Sequence, residues 1–174
     1  MTDYTHNGYT IRAITPDDNP AVAKLIRYNL KKHDLDIPGT VYFDACVDDI
    51  HGVYDGRDRC GYYVLINEDG KLVGGIGFDS LERIPGCAEL QKMYLDDSVK
   101  RQGLSYILIG FIEEKMRENG YTNAYLETHS NLPTAIHVYE KCGYIRIDRP
   151  KDVEHGAMDH FYIKKLNTHR SELL

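Results

Sequence analysis

Polarity alternates residue by residue over Tyr9-Thr10-Ile11-Arg12-Ala13, the period of a strand with one wet face. Thr15-Pro16-Asp17-Asp18 then reads as a helix start, with Thr15 as cap and Pro16 in the first turn. Ala21, Val22, Leu25, Ile26 and Leu30 recur at helical spacing, so a helix is predicted to about Lys32, before Pro38-Gly39. Val47, Ile50 and Val53 give a weaker helical pattern over 44–54. Residues 62–66 and 71–78 read as strands joined by a turn at 67–70, and a third strand covers 87–95, which together predict an antiparallel meander. From Gly103 the period lengthens. Leu104, Ile107, Leu108, Phe111 and Ile112 mark one helical face, Glu113, Glu114, Lys115 and Arg117 the wet one, and Gly120 the end. A strand follows at 123–128, a short helix at 134–142 opened by Pro133, and two strands at 144–147 and 160–165.

No Pro/Gly/Ser-rich linker divides the 174 residues, and one domain spanning 1–174 is expected. The polar first nine residues and the lack of an apolar run near the length of a span predict no membrane partner and a cytoplasmic protein. Four scattered cysteines without a C-x-x-C pair, and eight dispersed histidines, predict no metal. A net charge of −6 disfavours nucleic acid. That imbalance is local, because residues 34–58 hold seven aspartates against Arg57 alone.

A strand that stops at Leu95 and re-enters as a helix at Gly103 leaves the first-turn N–H groups of that helix without partners. With the helix dipole, Lys100 and Arg101 beside them, they favour a phosphate, and Gly103 permits close approach. A tight connection flanked by a solvated basic pair accounts for the same residues. G-x-x-x-x-G-K-[ST] and G-x-G-x-x-G are both absent, which sets aside a Walker loop and a dinucleotide fingerprint.

Lys100-Arg101-Gln102-Gly103-Leu104-Ser105 is similar to Q/R-x-x-G-x-G/A, the central motif of the GNAT N-acetyltransferase superfamily, departing from it at Lys100 and Ser105. Ala88 to Leu95 looks like that family's fourth strand. Ala135-Ile136-His137-Val138-Tyr139-Glu140-Lys141-Cys142-Gly143-Tyr144 resembles its A-x-x-x-Y-E-K-x-G-F signature, and Ile11 to Asp18 resembles its entry segment. The resemblance spans nearly the whole chain. It implies an α/β (α+β) fold with a mixed, mostly antiparallel sheet of six to seven strands and about four helices. It also implies acetyl-CoA and an amine as partners, with CoA held by Lys100, Arg101, Gln102, Gly103, Leu104 and Ser105. Met93, Tyr94 and Leu95 would bond the pantetheine amides like an added strand, with an oxyanion donor at a bulge near Met93 and Tyr94. Met93 serves equally as core. The family Asn falls where this chain has Leu132, leaving Asn131, one place earlier, as the candidate for the pantetheine arm.

An amine is mostly protonated at neutral pH and needs a base before attacking a thioester. Glu89 falls at the family's base position, with Gln91 on the same strand face; pairing with a surface cation is its structural alternative, and His129 is the reserve base. Tyr139 matches the tyrosine that protonates the departing thiolate, or else packs against Gly143. Tyr28, Tyr42, Phe43, Tyr54, Tyr62 and Tyr63, with Gln91, are candidates to wall an acceptor pocket whose aspartates attract a cation; a solvated acidic loop over core tyrosines is the plainer alternative. The predicted activity is transfer of an acetyl group from acetyl-CoA to a primary amine of a small molecule or peptide. The rivals are a non-catalytic acyl-CoA sensor or interaction module of the same fold and a phosphate-binding domain that ignores CoA. An exposed edge strand makes a homodimer possible.

Overall fold

The computed structural model describes residues 3–153 and 155–166. Within them the chain runs β1 (Tyr4–His6), β2 (Tyr9–Ala13), α1 (Asn19–Lys32), α2 (Ile50–Tyr54), β3 (Gly61–Ile66), β4 (Leu72–Ser80), β5 (Cys87–Leu95), α3 (Leu104–Glu118), β6 (Asn123–Thr128), α4 (Pro133–Lys141), β7 (Ile145–Ile147) and β8 (His160–Lys165). All eight strands form one sheet in the order β1-β2-β3-β4-β5-β6-β8-β7. Every neighbouring pair is antiparallel except β5–β6, which the α3 crossover makes parallel.

The mixed, mostly antiparallel sheet with four α-helices agrees with the expected class; the strand count is corrected from six or seven to eight. The added strand is β1. Asn7 and Gly8 both adopt positive φ, 46° and 78°, and turn the chain back as a two-residue hairpin whose residues tolerate that geometry. The weak helix expected over 44–54 is broken into 3-10 turns and the short α2. Asp49 interrupts it, turning its side chain to accept the Gly52 N–H at 3.0 Å, which caps a new start instead of continuing the old turn.

The two sheet faces carry separate cores. Ile11, Tyr63, Leu65, Ile76, Phe78, Ala88 and Leu90 pack under α3 and α4 with Leu108, Ile112 and Val138. Tyr62, Val64 and Tyr54 pack on the other face with Val22, Ile26 and Leu30 of α1. The parity of each strand decides which core a side chain joins, so Tyr62 and Tyr63 part company. Glu113 of α3 is buried and holds Lys164 of β8 at 2.7 and 2.8 Å, tying the crossover helix to the far half of the sheet.

Glycines in the middle of β4 give up their side-chain space to neighbours. A Cβ on Gly75 would stand 2.4 Å from the Tyr62 hydroxyl, one on Gly77 2.6 Å from the Tyr62 ring, and one on Gly74 2.7 Å from Leu95. Tyr62 therefore lies flat across β4 and donates its hydroxyl to the Lys92 carbonyl at 2.9 Å. There β5 is irregular. Gly77 faces Gln91 but Gly75 faces Tyr94, so one extra residue is inserted, and Lys92 takes a left-handed φ of 49°.

The bulge coincides with a parting of strands. β5 pairs with β6 only at Cys87, Ala88 and Glu89, opposite Asn123, Ala124 and Tyr125. Past that point β5 stays with β4 while β6 stays with β8, and a gap opens between them.

Gly75→Ala is expected to lower stability by about 1–3 kcal/mol through overpacking against Tyr62, and Tyr62→Phe by about 1–2 kcal/mol through loss of a buried hydrogen bond. Urea unfolding measures both. Because both changes act through the ring that braces the bulge, the double variant should lose less than the two single losses added.

Candidate active site

The gap between β5 and β6 is the floor of a cavity of about 270 Å³. Its walls are the α4 face bearing Thr134, Ala135, Val138 and Tyr139, and, across from it, Asn29, Leu30 and His33 at the end of α1 with Thr40 and Val41. One end reaches the turn at Lys100, Arg101, Gly103, Leu104 and Ser105; the other reaches Glu89, Glu127, His155 and Met158.

At the first end the chain makes two successive left-handed turns, Arg101 at φ 64° and Gly103 at φ 74°. The helical ladder begins when the Tyr106 and Ile107 N–H groups donate to the Gly103 carbonyl at 3.0 and 3.4 Å. The N–H groups of Gly103, Leu104 and Ser105 precede it, and the helix gives them no partner. Among the described residues, nothing beyond Gly103 and its chain neighbours lies within 4 Å of the place a Gly103 Cβ would occupy, so the approach is open. Lys100 pairs with Asp97, which also accepts from Lys32 and, at 2.7 Å, from the Tyr28 hydroxyl. These three donors, Lys100 foremost, hold the Asp97 carboxyl well below the usual range. Together these features fit the diphosphate of CoA: free backbone donors at a helix start, a basic pair, and space.

Between the two ends, Met93, Tyr94 and Leu95 continue β5 along the gap beyond its last rung with β6, leaving the strand edge turned toward the cavity. An extended amide-bearing arm fits an edge of this kind.

At the second end Glu89 and Gln91 share the face away from α3, as alternation requires. The Gln91 amide donates to Glu89 Oε2 at 2.7 Å, and its carbonyl accepts the Tyr54 hydroxyl at 2.7 Å. Gln91 thus fixes the carboxylate through a chain anchored on α2. Burial pushes the Glu89 carboxyl up and Glu127 adds to the rise, while the bond from Gln91 works against both. Tyr139 is buried on α4, and burial pushes its phenol up, so it stays protonated through the neutral range. It packs at 6.0 Å, centroid to centroid, on Tyr144.

The structure brings Glu89, Gln91, Met93, Tyr94, Leu95, Lys100, Arg101, Gly103, Leu104, Ser105 and Tyr139 to one cavity. Other candidates stand apart from its lining. Gln102 turns its amide to the Tyr9 hydroxyl at 2.9 Å, Asn131 donates to the His33 carbonyl at 3.0 Å, and exposed Tyr28 is spent on Asp97. Tyr63 is core under α3, stacked edge-on with Phe111 at 4.9 Å, and Tyr42 packs against Phe43. The reserve base, His129, accepts the Asn131 N–H at 3.0 Å through Nδ1. Sequence reasoning offered Tyr54 only as a wall of the acceptor pocket, not as the brace of Gln91, and it passed over Glu127 and His155. Of these only Glu127 carried a signal, a carboxylate two residues beyond Tyr125 on the strand parallel to β5.

Known proteins share the family and the fold. Residues 27–144 match the model of the acetyltransferase (GNAT) family. An uncharacterised N-acetyltransferase of Escherichia coli K12, YjgM, is 34% identical over 150 residues, which is 85% of this chain and 89% of that protein. A GNAT-family acetyltransferase from Staphylococcus aureus Mu50 shares the fold, with a TM-score of 0.78 at 19% identity over 91% of this chain and 99% of its own. Spermidine N-acetyltransferase of Vibrio cholerae, solved with CoA and spermine, superposes at a TM-score of 0.69 and 16% identity over 92% of this chain and 97% of its own.

Two outcomes check the site. Gly103→Ala is expected to weaken CoA binding at least tenfold by calorimetry and to cost about 1–2 kcal/mol of stability, since alanine is strained at positive φ. Glu89→Gln is expected to raise the melting temperature near pH ~7, with the gain vanishing by pH ~4. A carboxyl whose folded pKa is raised is destabilising only once pH passes its unfolded value of about 4, and increasingly so up to the folded one.

Proposed function

Starting from the premise that this chain belongs to the acetyltransferase (GNAT) family, we propose that it moves an acetyl group from acetyl-CoA directly to a primary amine of a small molecule or peptide. Acetyltransferase activity dependent on an acyl-CoA follows from the family; the acceptor class and the residue roles are our reading. The observation that carries it is the placement of Glu89 and Tyr139, a raised carboxyl and a protonated phenol, on the walls of the cavity that the free edge of β5 borders.

Acetyl-CoA supplies a thioester carbonyl carbon open to attack. Glu89 accepts a proton from the incoming ammonium, and its raised pKa brings it nearer the amine it must deprotonate. Gln91, braced by Tyr54, holds the carboxylate oxygen in place. Backbone N–H groups at the bulge, about Met93 and Tyr94, stabilise the oxyanion, and the strand's departure from regular pairing is what turns them to that use. Tyr139 gives its proton to the departing thiolate and is restored by the second proton, which the acceptor nitrogen sheds as the intermediate collapses; Glu89 returns its own proton to solvent.

The comparison with the spermidine enzyme supports a soluble cationic acceptor, and the acidic run 34–58 beside the α1 wall supports attraction of a cation. Retention of both Glu89 and Tyr139 weighs against a binding-only module. Cytoplasmic placement and a homodimer paired through an outer strand, β1 or β7, belong to the same proposal. Among the described residues no helix is long and apolar enough to cross a membrane.

Glu89→Gln and Tyr139→Phe should each lower kcat by about 10²- to 10⁴-fold while leaving CoA affinity within threefold. Thiol release from acetyl-CoA with an amine panel measures the rate, and wild-type turnover in both variants would refute the assignment. In the wild type kcat/KM should rise with pH through an inflection above the ordinary carboxylate range, and Glu89→Gln should abolish that limb.

A further inference from the structure

Glu127 is a carboxylate half satisfied. It lies at the far end of β6, with a side chain only 6% exposed. Oε1 accepts the Tyr125 hydroxyl at 2.8 Å and stands 3.4 Å from the Arg83 guanidinium. Oε2 is buried and has no hydrogen-bond partner among the described residues. A buried carboxylate oxygen left in this state costs several kcal/mol in order-of-magnitude terms, and Glu127 lines the same cavity as Glu89.

The neighbouring donors, Lys92 apart, are already engaged. The Gln91 amide serves Glu89, and His155 is paired with Asp44 at 3.0 Å. Arg83 spreads its charge over Glu127 Oε1, the Asp152 carbonyl at 3.2 Å and the face of Tyr125 at 4.7 Å. Lys92, on the bulge, makes no ion pair among the described residues, although it pulls on Glu89. Glu89 and Glu127 are near enough to repel each other, with Glu127 pushing the Glu89 carboxyl up. A cation placed between them would relieve both.

We propose that Glu127 Oε2 is the docking point for the acceptor's ammonium group, so that the enzyme takes alkylamines in their charged form and holds them beside Glu89 before deprotonation. This rests on the amine-acetylation reading above and deepens it by naming the acceptor class: an alkylammonium, not an amine that is neutral at the working pH. Glu127 is a binding residue here. It keeps its charge throughout. The ammonium gives one proton to Glu89 before attack, and the second, shed by nitrogen as the tetrahedral intermediate collapses, replaces the one Tyr139 gives to the thiolate.

The test compares n-butylamine, charged near pH ~7.5, with an arylamine, uncharged there, in the wild type and in Glu127→Gln. The amide is isosteric and keeps an oxygen for Tyr125, and calorimetry with CoA confirms an intact cavity. The ratio of kcat/KM for butylamine to that for the arylamine is expected to fall by about 10- to 100-fold, the range set by loss of a charge-assisted hydrogen bond, mainly through the KM for butylamine. An unchanged ratio, whether both rates fall together or neither falls, overturns the proposal. Should the wild type bind CoA and acetylate neither amine, the activity reading fails instead. Butylammonium binding to the CoA complex, measured by calorimetry, still decides the docking: affinity at least tenfold weaker in Glu127→Gln supports it, and equal affinity overturns it.

Discussion

The parting of β5 from β6 after three rungs is the constraint on which the rest of the molecule depends. Two adjacent parallel strands would ordinarily satisfy each other along their full length. Here β5 keeps to β4 through a bulge at Lys92, and β6 keeps to β8, so two strand edges in mid-sheet are left for something other than protein. The bulge in turn depends on β4 having no side chains at Gly75 and Gly77, which lets the Tyr62 ring lie across the strand and bond the Lys92 carbonyl. A glycine-rich stretch thus acts by the volume it leaves vacant, not by flexibility.

The polar groups of the cavity are held at a cost and by separate means. Glu89 is desolvated yet orientated by Gln91 and Tyr54. Glu127 has one oxygen satisfied and one without a partner among the described residues. At the opposite end Asp97 organises Tyr28, Lys32 and Lys100 around one carboxylate, so the turn before α3 is tied to α1, which walls the other side of the cavity. Among the described residues the other buried carboxylates are paired, Asp18 with Arg12 and Glu113 with Lys164, which separates them from the half-satisfied groups of the cavity.

Most of the fold was legible because period marks it: two-residue alternation in the meander, the change to helical spacing at Gly103, and the glycines at 120 and 143. β1 escaped because three residues carry no period, although Asn7-Gly8 announces the hairpin. The site was legible where backbone carries it, at the turn and along β5, and less so where side chains do. Gln102, Asn131 and Tyr28 have the right composition and neighbourhood, but each spends its polar group on a partner distant in sequence: Tyr9, the His33 carbonyl and Asp97. Tyr63 was a matter of parity, since pattern alone does not say which strand face meets the cleft. Glu127 could not be ranked from its own surroundings. Its one satisfied oxygen is met by Tyr125 of its own strand and by Arg83 from a loop far earlier in the sequence.

Because only Cys87, Ala88 and Glu89 join β5 to β6, the sheet is two half-sheets, β1–β5 and β6–β8, meeting at a seam three residues long. The continuous spine across that seam is α3, fastened to the far half by Glu113 and Lys164. A molecule lying in the gap and bonding the β5 edge supplies rungs that the polypeptide omits. It does so only in the folded state, so its binding free energy adds to the stability of the fold by mass action. On the proposed placement of acetyl-CoA, the donor substrate is in this sense a missing piece of the sheet, and a preparation depleted of it would be a more weakly closed version of the same protein.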